Sequence, residues 1–415
     1  MLTKTDQKPK SPKLRFSEFS GVWEEKRLGK VITEIKQQSN YNNEYPVLTS
    51  SRNGLMPQSE YYGENNRITE RDSTGFNVIP ENYITYRSRS DDGIFHFNEN
   101  NLGYTGVIST YYPVFKSNLD ENKFLLLILN IHWKVFFKYS VGTSQKVLSI
   151  IELKKIPCLF PKKPEQQKIA TFLSSADEWI ANLKAQKQSL EQYKKGMMQS
   201  LFSSHPEQSE GSIQPLRFKD DNGQDFPDWE EKKLSDIFIK KSERNRDDSI
   251  KHVLTNSAVE GIVNQGDYFD RDIANQNNLT NYFVVDVDDF IYNPRISKFA
   301  PVGPFKRNKL IKGIMSPLYT VLKPKGENLT FWEKYFETKV WHRYMYKIAN
   351  YGARHDRMSI QQEDFFKMPM LSPSLPEQQR IATFLTSIDN LINSKQLQIS
   401  QAKQWKKGLM QKLFV

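Results

Sequence analysis

Four short segments of this chain gather side chains that can read a nucleic-acid groove. Tyr86-Arg87-Ser88-Arg89-Ser90 and Gly142-Thr143-Ser144-Gln145-Lys146 lie in its first half, Asn293-Pro294-Arg295-Ile296-Ser297-Lys298 and Gly352-Ala353-Arg354-His355-Asp356-Arg357 in its second. An arginine guanidinium can fork onto guanine and an asparagine or glutamine amide onto adenine, whereas lysine and serine hold phosphates. Any one of these side chains reads equally well as a solvated surface group; recurrence at matching places in two halves favours binding for the group. With Arg52, which follows a run shared by both halves, the candidates are Arg87, Ser88, Arg89, Gln145, Lys146, Asn293, Arg295, Lys298, Arg354, His355 and Arg357.

Signatures of catalysis are missing from the sequence. It has no phosphate-cradling GxxxxGK[ST] run and no glycine-rich dinucleotide loop. Its six histidines are scattered without metal-ligand spacing, and a single cysteine, Cys158, argues against structural zinc and rules out an internal disulfide. Asn293-Pro294-Arg295-Ile296 begins like an Asn-Pro-Pro-aromatic loop that holds a flipped adenine, but lacks the second proline and the stacking aromatic. Pro227-Asp228-Trp229-Glu230-Glu231-Lys232 packs its acids too closely to place carboxylates from separate strands around a metal, so a surface turn is the better reading.

The elements that must position the candidates occur twice. Pro164-Glu165-Gln166-Gln167-Lys168-Ile169-Ala170-Thr171-Phe172-Leu173 returns as Pro376-Glu377-Gln378-Gln379-Arg380-Ile381-Ala382-Thr383-Phe384-Leu385, and Lys194-Lys195-Gly196-Met197-Met198-Gln199-Ser200-Leu201-Phe202 as Lys406-Lys407-Gly408-Leu409-Met410-Gln411-Lys412-Leu413-Phe414. Each copy reads as one long helix, with proline in the first turn and Glu165 or Glu377 complementing the helix dipole. Apolar residues recur at spacings of three and four: Ile169, Leu173, Ala176, Ile180, Leu183, Leu190, Met197 and Leu201, then Ile381, Leu385, Ile388, Ile392, Ile399, Ala402, Leu409 and Leu413. That is a coiled-coil seam, interrupted at Lys187, Lys194, Lys395 and Lys406 in a way that favours one register. Ile169, Phe172, Leu173, Ile180, Leu183 and Leu190, with Ile381, Phe384, Leu385, Ile392, Ile399 and Leu409, are the expected helix–helix and subunit contacts.

The duplication extends beyond the helices. Leu14-Arg15-Phe16 and Trp23-Glu24-Glu25-Lys26-Arg27-Leu28 match Leu216-Arg217-Phe218 and Trp229-Glu230-Glu231-Lys232-Lys233-Leu234; Gly106 and Ser109 match Gly313 and Ser316. Between these landmarks identity vanishes, as expected of one scaffold presenting two different surfaces. Short β-rich runs punctuated by Asn, Gly and Asp precede a helix at 123–138 and another at 330–348, giving an α+β domain in each half. The expected division is a disordered lead-in at 1–13, a domain at 14–160, a helical repeat at 161–203, a flexible linker at 204–215, a second domain at 216–372 and a second helical repeat at 373–415.

A net charge of +11 and a pI near 9.3 call for an anionic partner, with nucleic acid favoured over membrane because there is no run of 18 apolar residues. The polar N-terminal stretch lacks a signal core, so a cytoplasmic location is expected.

On the paired Pro-Glu-Gln-Gln-x-Ile-Ala-x-Phe-Leu and Lys-Lys-Gly-x-Met-Gln-x-Leu-Phe motifs, the chain resembles specificity subunits of type I restriction-modification systems, over nearly all its length. The resemblance implies two similar mixed α/β target recognition domains separated by two long helices packed as an antiparallel coiled coil. Each domain would read half of a bipartite double-stranded DNA site in a bacterial or archaeal cell. The helices would set the spacing and dock two methyltransferase subunits, which two motor endonuclease subunits can join. S-adenosylmethionine, ATP and Mg would then be used by those partners, with no cofactor or metal on this chain. The rivals are a fused enzyme carrying its own modification or nuclease chemistry, which needs loops that are missing, and a bivalent DNA-binding scaffold without enzymatic partners.

Overall fold

In a computed structural model of the chain, residues 11–52, 54–63, 71–119, 122–202, 216–268, 276–326, 328–350 and 356–414 are described. The expected linker at 204–215 and most of the lead-in at 1–13 lie outside them. The chain divides into two compact units, Met1–Lys184 with Leu397–Val415, and Ala185–Gln396. Neither long helix is therefore a body of its own: each unit owns half of each.

The first unit is built on a four-stranded antiparallel sheet in the order Ile32–Ile35, Val114–Ser117, Ile84–Tyr86, Phe97–Glu99. The second repeats it with Phe238–Lys241, Thr320–Pro324, Phe290–Tyr292 and Phe305–Arg307. In each, an opening strand pairs with the strand that leads into a long helix: Glu24–Arg27 with Pro157–Phe160, and Glu230–Lys233 with Pro369–Ser372. The matched glycines have a steric reason. A Cβ at Gly313 would stand 2.7 Å from the Leu254 side chain and 2.8 Å from the His252 carbonyl, and Gly106 meets Leu48 and the Pro46 carbonyl in the same way.

Two expected helices are each broken in two. The first runs Asn122–Ile131 and then Trp133–Tyr139, with His132 between them off helical geometry; the turn swings Phe136 into the core, 5.4 Å from the Phe97 ring. The second runs Leu329–Phe336 and His342–Ile348. There Thr338 donates to the Tyr335 carbonyl and accepts from the Val340 amide, local bonds that compete with continuing the helix.

The long helices, Lys163–Phe202 and Leu375–Leu413, start within a residue of the expected prolines. They pack antiparallel in both units. In the first, Ile169 and Leu173 share a core with Leu413, with Phe172 and Leu409 half-buried on it, while Ile180 and Leu183 meet Ile399 and Ala402. In the second, Met198 and Leu201 share a core with Ile381 and Leu385, flanked by Phe384 and Ile392. Leu190 is only half-buried. The lysines that interrupt the seam are paired: Lys406 with Asp177 in the first unit, and Lys194 with Asp389 at 2.7 Å in the second, where Lys187 also reaches Glu191 at 3.0 Å.

Glu165 and Glu377 do more than complement a dipole. Both are fully buried. Glu165 accepts from Arg15 Nε at 2.8 Å and Nη2 at 2.7 Å and from Trp23 Nε1 at 3.3 Å; Glu377 accepts from Arg217 at 3.2 and 2.8 Å and from Trp229 at 3.2 Å. Beside them Phe16 stands edge-on to Phe172 at 5.5 Å and Phe218 to Phe384 at 5.4 Å. The preceding residues tie down the helix ends: the Leu14 amide donates to the Lys412 carbonyl at 2.9 Å and the Leu216 amide to the Ser200 carbonyl at 3.1 Å. Replacing Glu377 by Ala leaves a guanidinium and an indole N–H without their acceptor and should cost about 2–4 kcal/mol. Urea unfolding of Glu377→Ala against wild type measures it; a loss within the scatter of neutral surface variants would show that the carboxylate is dispensable.

In the second unit a charge network joins Lys194 and Lys334 to Glu337 and Asp389, with separations of 2.5 to 2.9 Å. For Glu337, burial pushes the pKa up, but Lys334 and Lys194 outweigh it and hold the carboxyl below its ordinary value; Asp389 is lowered by the same lysines against the same opposition. Depressed carboxylates contribute stability that is complete above their unfolded pKa values, about 4, and is lost as pH falls through the lower folded ones. Stability should therefore drop between pH 5 and 3, as estimated from those values, and drop less in Asp389→Asn, measured by urea unfolding at each pH. Equal acid loss in both proteins would remove Asp389 from the account.

Candidate nucleic-acid interface

The sequence segments singled out above come together in pairs. In the first unit Arg89–Ser90 forms a two-stranded antiparallel ladder with Lys146–Val147, Arg89 opposite Val147, and the Leu148 amide donates to the Ser88 carbonyl. In the second, Arg295 bridges Arg357, the Ile296 amide donates to the Asp356 carbonyl and the Met358 amide to the Pro294 carbonyl. Both ladders leave the central sheet through a buried tyrosine, Tyr86 or Tyr292, whose hydroxyl donates to a backbone carbonyl, of Leu148 at 2.9 Å or Val302 at 2.8 Å. Burial pushes both phenol pKa values well up, so these are neutral anchors.

On the first ladder Arg87 and Arg89 are exposed. The Arg89 guanidinium lies 4.3 Å over the Tyr111 ring, which is itself half exposed, and Ser88 Oγ donates to the Tyr111 carbonyl at 2.7 Å. Arg87 makes no hydrogen bond or ion pair among the described residues. Arg52 pairs with Asp92 at 2.5 Å, and Gln145 donates to Asp91 at 2.8 Å. The Ser90 hydroxyl, then the Ile94 amide, hold Asp92 below the usual carboxylate range. Lys146 donates to the Gly142 carbonyl at 2.6 Å with its ammonium 4.8 Å over the Phe137 ring. Arg52, Gln145 and Lys146 are thus positioned but already engaged, and would have to exchange these partners to reach a ligand.

On the second ladder Arg295 is exposed and shares Asp356 with Arg357, at 3.6 and 3.9 Å. Lys298 is exposed, without a hydrogen bond or ion pair among the described residues, and is followed by Phe299, 74% exposed. Arg354 and His355 lie outside the described residues. Asn293 is a correction. It is buried, its amide donates to the Asn256 carbonyl at 3.2 Å and its oxygen accepts from the Arg295 amide at 3.0 Å, so it shapes the turn that presents Arg295 and is not itself presented to a groove. Tyr111 and Phe299 went unnoticed in the sequence because an aromatic beside a strand reads as core; only their exposure marks them.

Among the described residues no cluster of acids, histidine and cysteine could hold a metal ion, and no helix is long and apolar enough to cross a membrane. Cys158 is buried, its thiol pushed up to about 12 by burial, too high for a nucleophile.

Residues 21–192 match the model of the type I restriction modification DNA specificity domain. Over 311 residues the chain is 27% identical to a protein named as the specificity subunit of the type I restriction enzyme MjaX of Methanocaldococcus jannaschii, covering 71% of this chain and 67% of that one. The crystal structure of the type I restriction-modification S subunit from M. genitalium superposes over 98% of this chain and 99% of its own, with a TM-score of 0.51 at 15% identity. By these matches the chain is similar to type I specificity subunits. A second solved chain, from work on complex assembly and conformational transition of the type I R-M system, covers 94% of this chain and 97% of itself, with a TM-score of 0.54 at 14% identity. At such identities these structures speak for the fold.

If the ladders read DNA, Arg87→Ala, Arg89→Ala and Arg295→Ala should weaken binding of the cognate duplex, by about 1–3 kcal/mol where the guanidinium forks onto a base. Asn293→Ala should lower thermal stability and affect binding only through Arg295. Titration of methylation-protected and random duplexes separates the cases: equal loss on both marks a phosphate contact, and unchanged binding in all three arginine variants removes the ladders from the interface.

Proposed function

We propose that each unit of this specificity subunit reads one half of a bipartite duplex DNA site through its ladder, and that the two long helices set the spacing and dock two methyltransferase subunits. Two restriction subunits can join through these. The single observation that carries the reading is a repeated scaffold whose presented side chains differ: the exposed Arg87 and Arg89 stand where the second unit has a buried Asn293 and an exposed Arg295. A conserved frame with changed side chains is what two different half-sites require. Adenine methylation would use S-adenosylmethionine on the partners, with ATP and Mg serving the restriction subunits. On this reading the chain acts in the cytoplasm, on the DNA, and alone neither methylates nor cleaves.

Co-expression with a type I methyltransferase from the same cell should yield a complex that methylates one bipartite sequence. Exchanging residues 14–158 for those of a relative should then change one half of that sequence and leave the other, as read by methylation mapping. Turnover by the isolated chain would overturn the reading, and a chain that binds DNA but retains no methyltransferase would make it a scaffold. A change in both halves on exchange would mean that the units do not read independently.

A further inference from the structure

A cleft of about 470 Å³ opens in the first unit where the end of helix Asn122–Ile131 meets the long helices. Lys184, Lys403, Lys406 and Lys407 line it, with Asn130 and Trp133 at its edge. One carboxylate faces these four lysines, Asp177, and it is taken by Lys406. Lys184, Lys403 and Lys407 are exposed and have no hydrogen bond or ion pair among the described residues.

The duplication shows what belongs there. Asp177 and Lys406 occupy the positions of Asp389 and Lys194 in the second unit, and Phe124-Leu125-Leu126-Leu127-Ile128-Leu129-Asn130 follows the burial of Phe331-Trp332-Glu333-Lys334-Tyr335-Phe336-Glu337 except that Leu127 is half-buried where Lys334 is buried. In the second unit Glu337 receives Lys194 at 2.9 Å and Lys334 at 2.8 Å. In the first, its place is held by Asn130 and that of Lys334 by Leu127. Lys184 and Lys403 replace Gln396 and Glu191, so the face that is balanced in one unit carries uncompensated positive charge in the other. A lysine cluster of this kind repels itself until an acid enters.

We propose that this cleft binds a carboxylate from an acidic segment of a protein partner, set where Glu337 sits in the other unit. The apolar wall of Ile131, Trp133 and Met410 beside the lysines suits a peptide that carries an apolar side chain next to its acid, and suits a bare phosphate backbone less. The cleft shares no residue with the ladders, so the proposal stands whether or not they read DNA.

The test uses the full chain and a short fluorescein-labelled peptide of alternating glutamate and leucine, with a glutamine-for-glutamate peptide and a random duplex as comparisons. The glutamate peptide should bind and the glutamine peptide should not. Lys403→Glu with Lys407→Glu should weaken binding about tenfold, while the same reversal at the exposed Lys30 and Lys116 leaves it nearly unchanged. Asn130→Glu supplies the carboxylate from within and should also block the peptide. Because Asn130 bonds the Phe97 backbone and that variant can lose stability, the lysine pair is the decisive arm. Equal weakening by both lysine pairs would reduce the effect to overall basicity and overturn the proposal. So would a Lys403/Lys407 pair that loses duplex affinity but keeps the peptide, since the surface would then serve nucleic acid.

Discussion

A buried glutamate in the first turn of each long helix joins two parts of its unit that are far apart in sequence. Glu165 receives the arginine and tryptophan of the opening segment on a helix that follows the whole globular domain, and Glu377 does the same. A carboxylate taken out of water is costly unless its partners are in place, so the fold is consistent only when opening segment, closing strand and helix start are together. The strand pairs Glu24–Arg27 with Pro157–Phe160, and Glu230–Lys233 with Pro369–Ser372, close each domain immediately beside this point. What lies between those strands is then free to vary without moving the helix.

That freedom is visible in how the units diverge. The sheets keep the same strand order, yet at the seam the first unit is apolar where the second is charged: Leu183 and Ile399 occupy the positions of Lys395 and Lys187. Apolar seam residues tolerate many registers, whereas Lys194 with Asp389 and Glu337 satisfies only one. Helix pairing in one unit thus rests mainly on burial and in the other partly on charge geometry, which is why acid should act unevenly on the molecule.

Much of this was legible in the sequence, and the rest was hidden for definite reasons. The long helices announce themselves through sustained spacing of Ile169, Leu173, Ala176 and Ile180 and through outright repetition. The ladders were half legible: their basic residues were found, but their pairing depends on contacts between positions such as Arg89 and Val147 that no local pattern encodes. Asn293 looked like a base reader because its type is right; its burial is decided by Asn256, far away in the chain. Glu165 read as a dipole partner because nothing near it in sequence reveals Arg15. The helix breaks at His132 and Thr338 went unseen since neither residue forbids a helix.

The amide of Leu14 meets the end of the second long helix at Lys412, and that of Leu216 meets the matching end of the first at Ser200. These are the same contact, made once by residues that follow one another along the chain and once by residues at opposite extremes of it. The packing is therefore cyclic although the polypeptide is linear. A circular permutant, joined from Phe414 to Leu14 by a segment as long as residues 203–215 and opened between 203 and 215, would keep every hydrogen bond described above. Which half is translated first is a matter of genetic layout, and rearrangements that exchange the halves end to end are open to this architecture at no cost in packing.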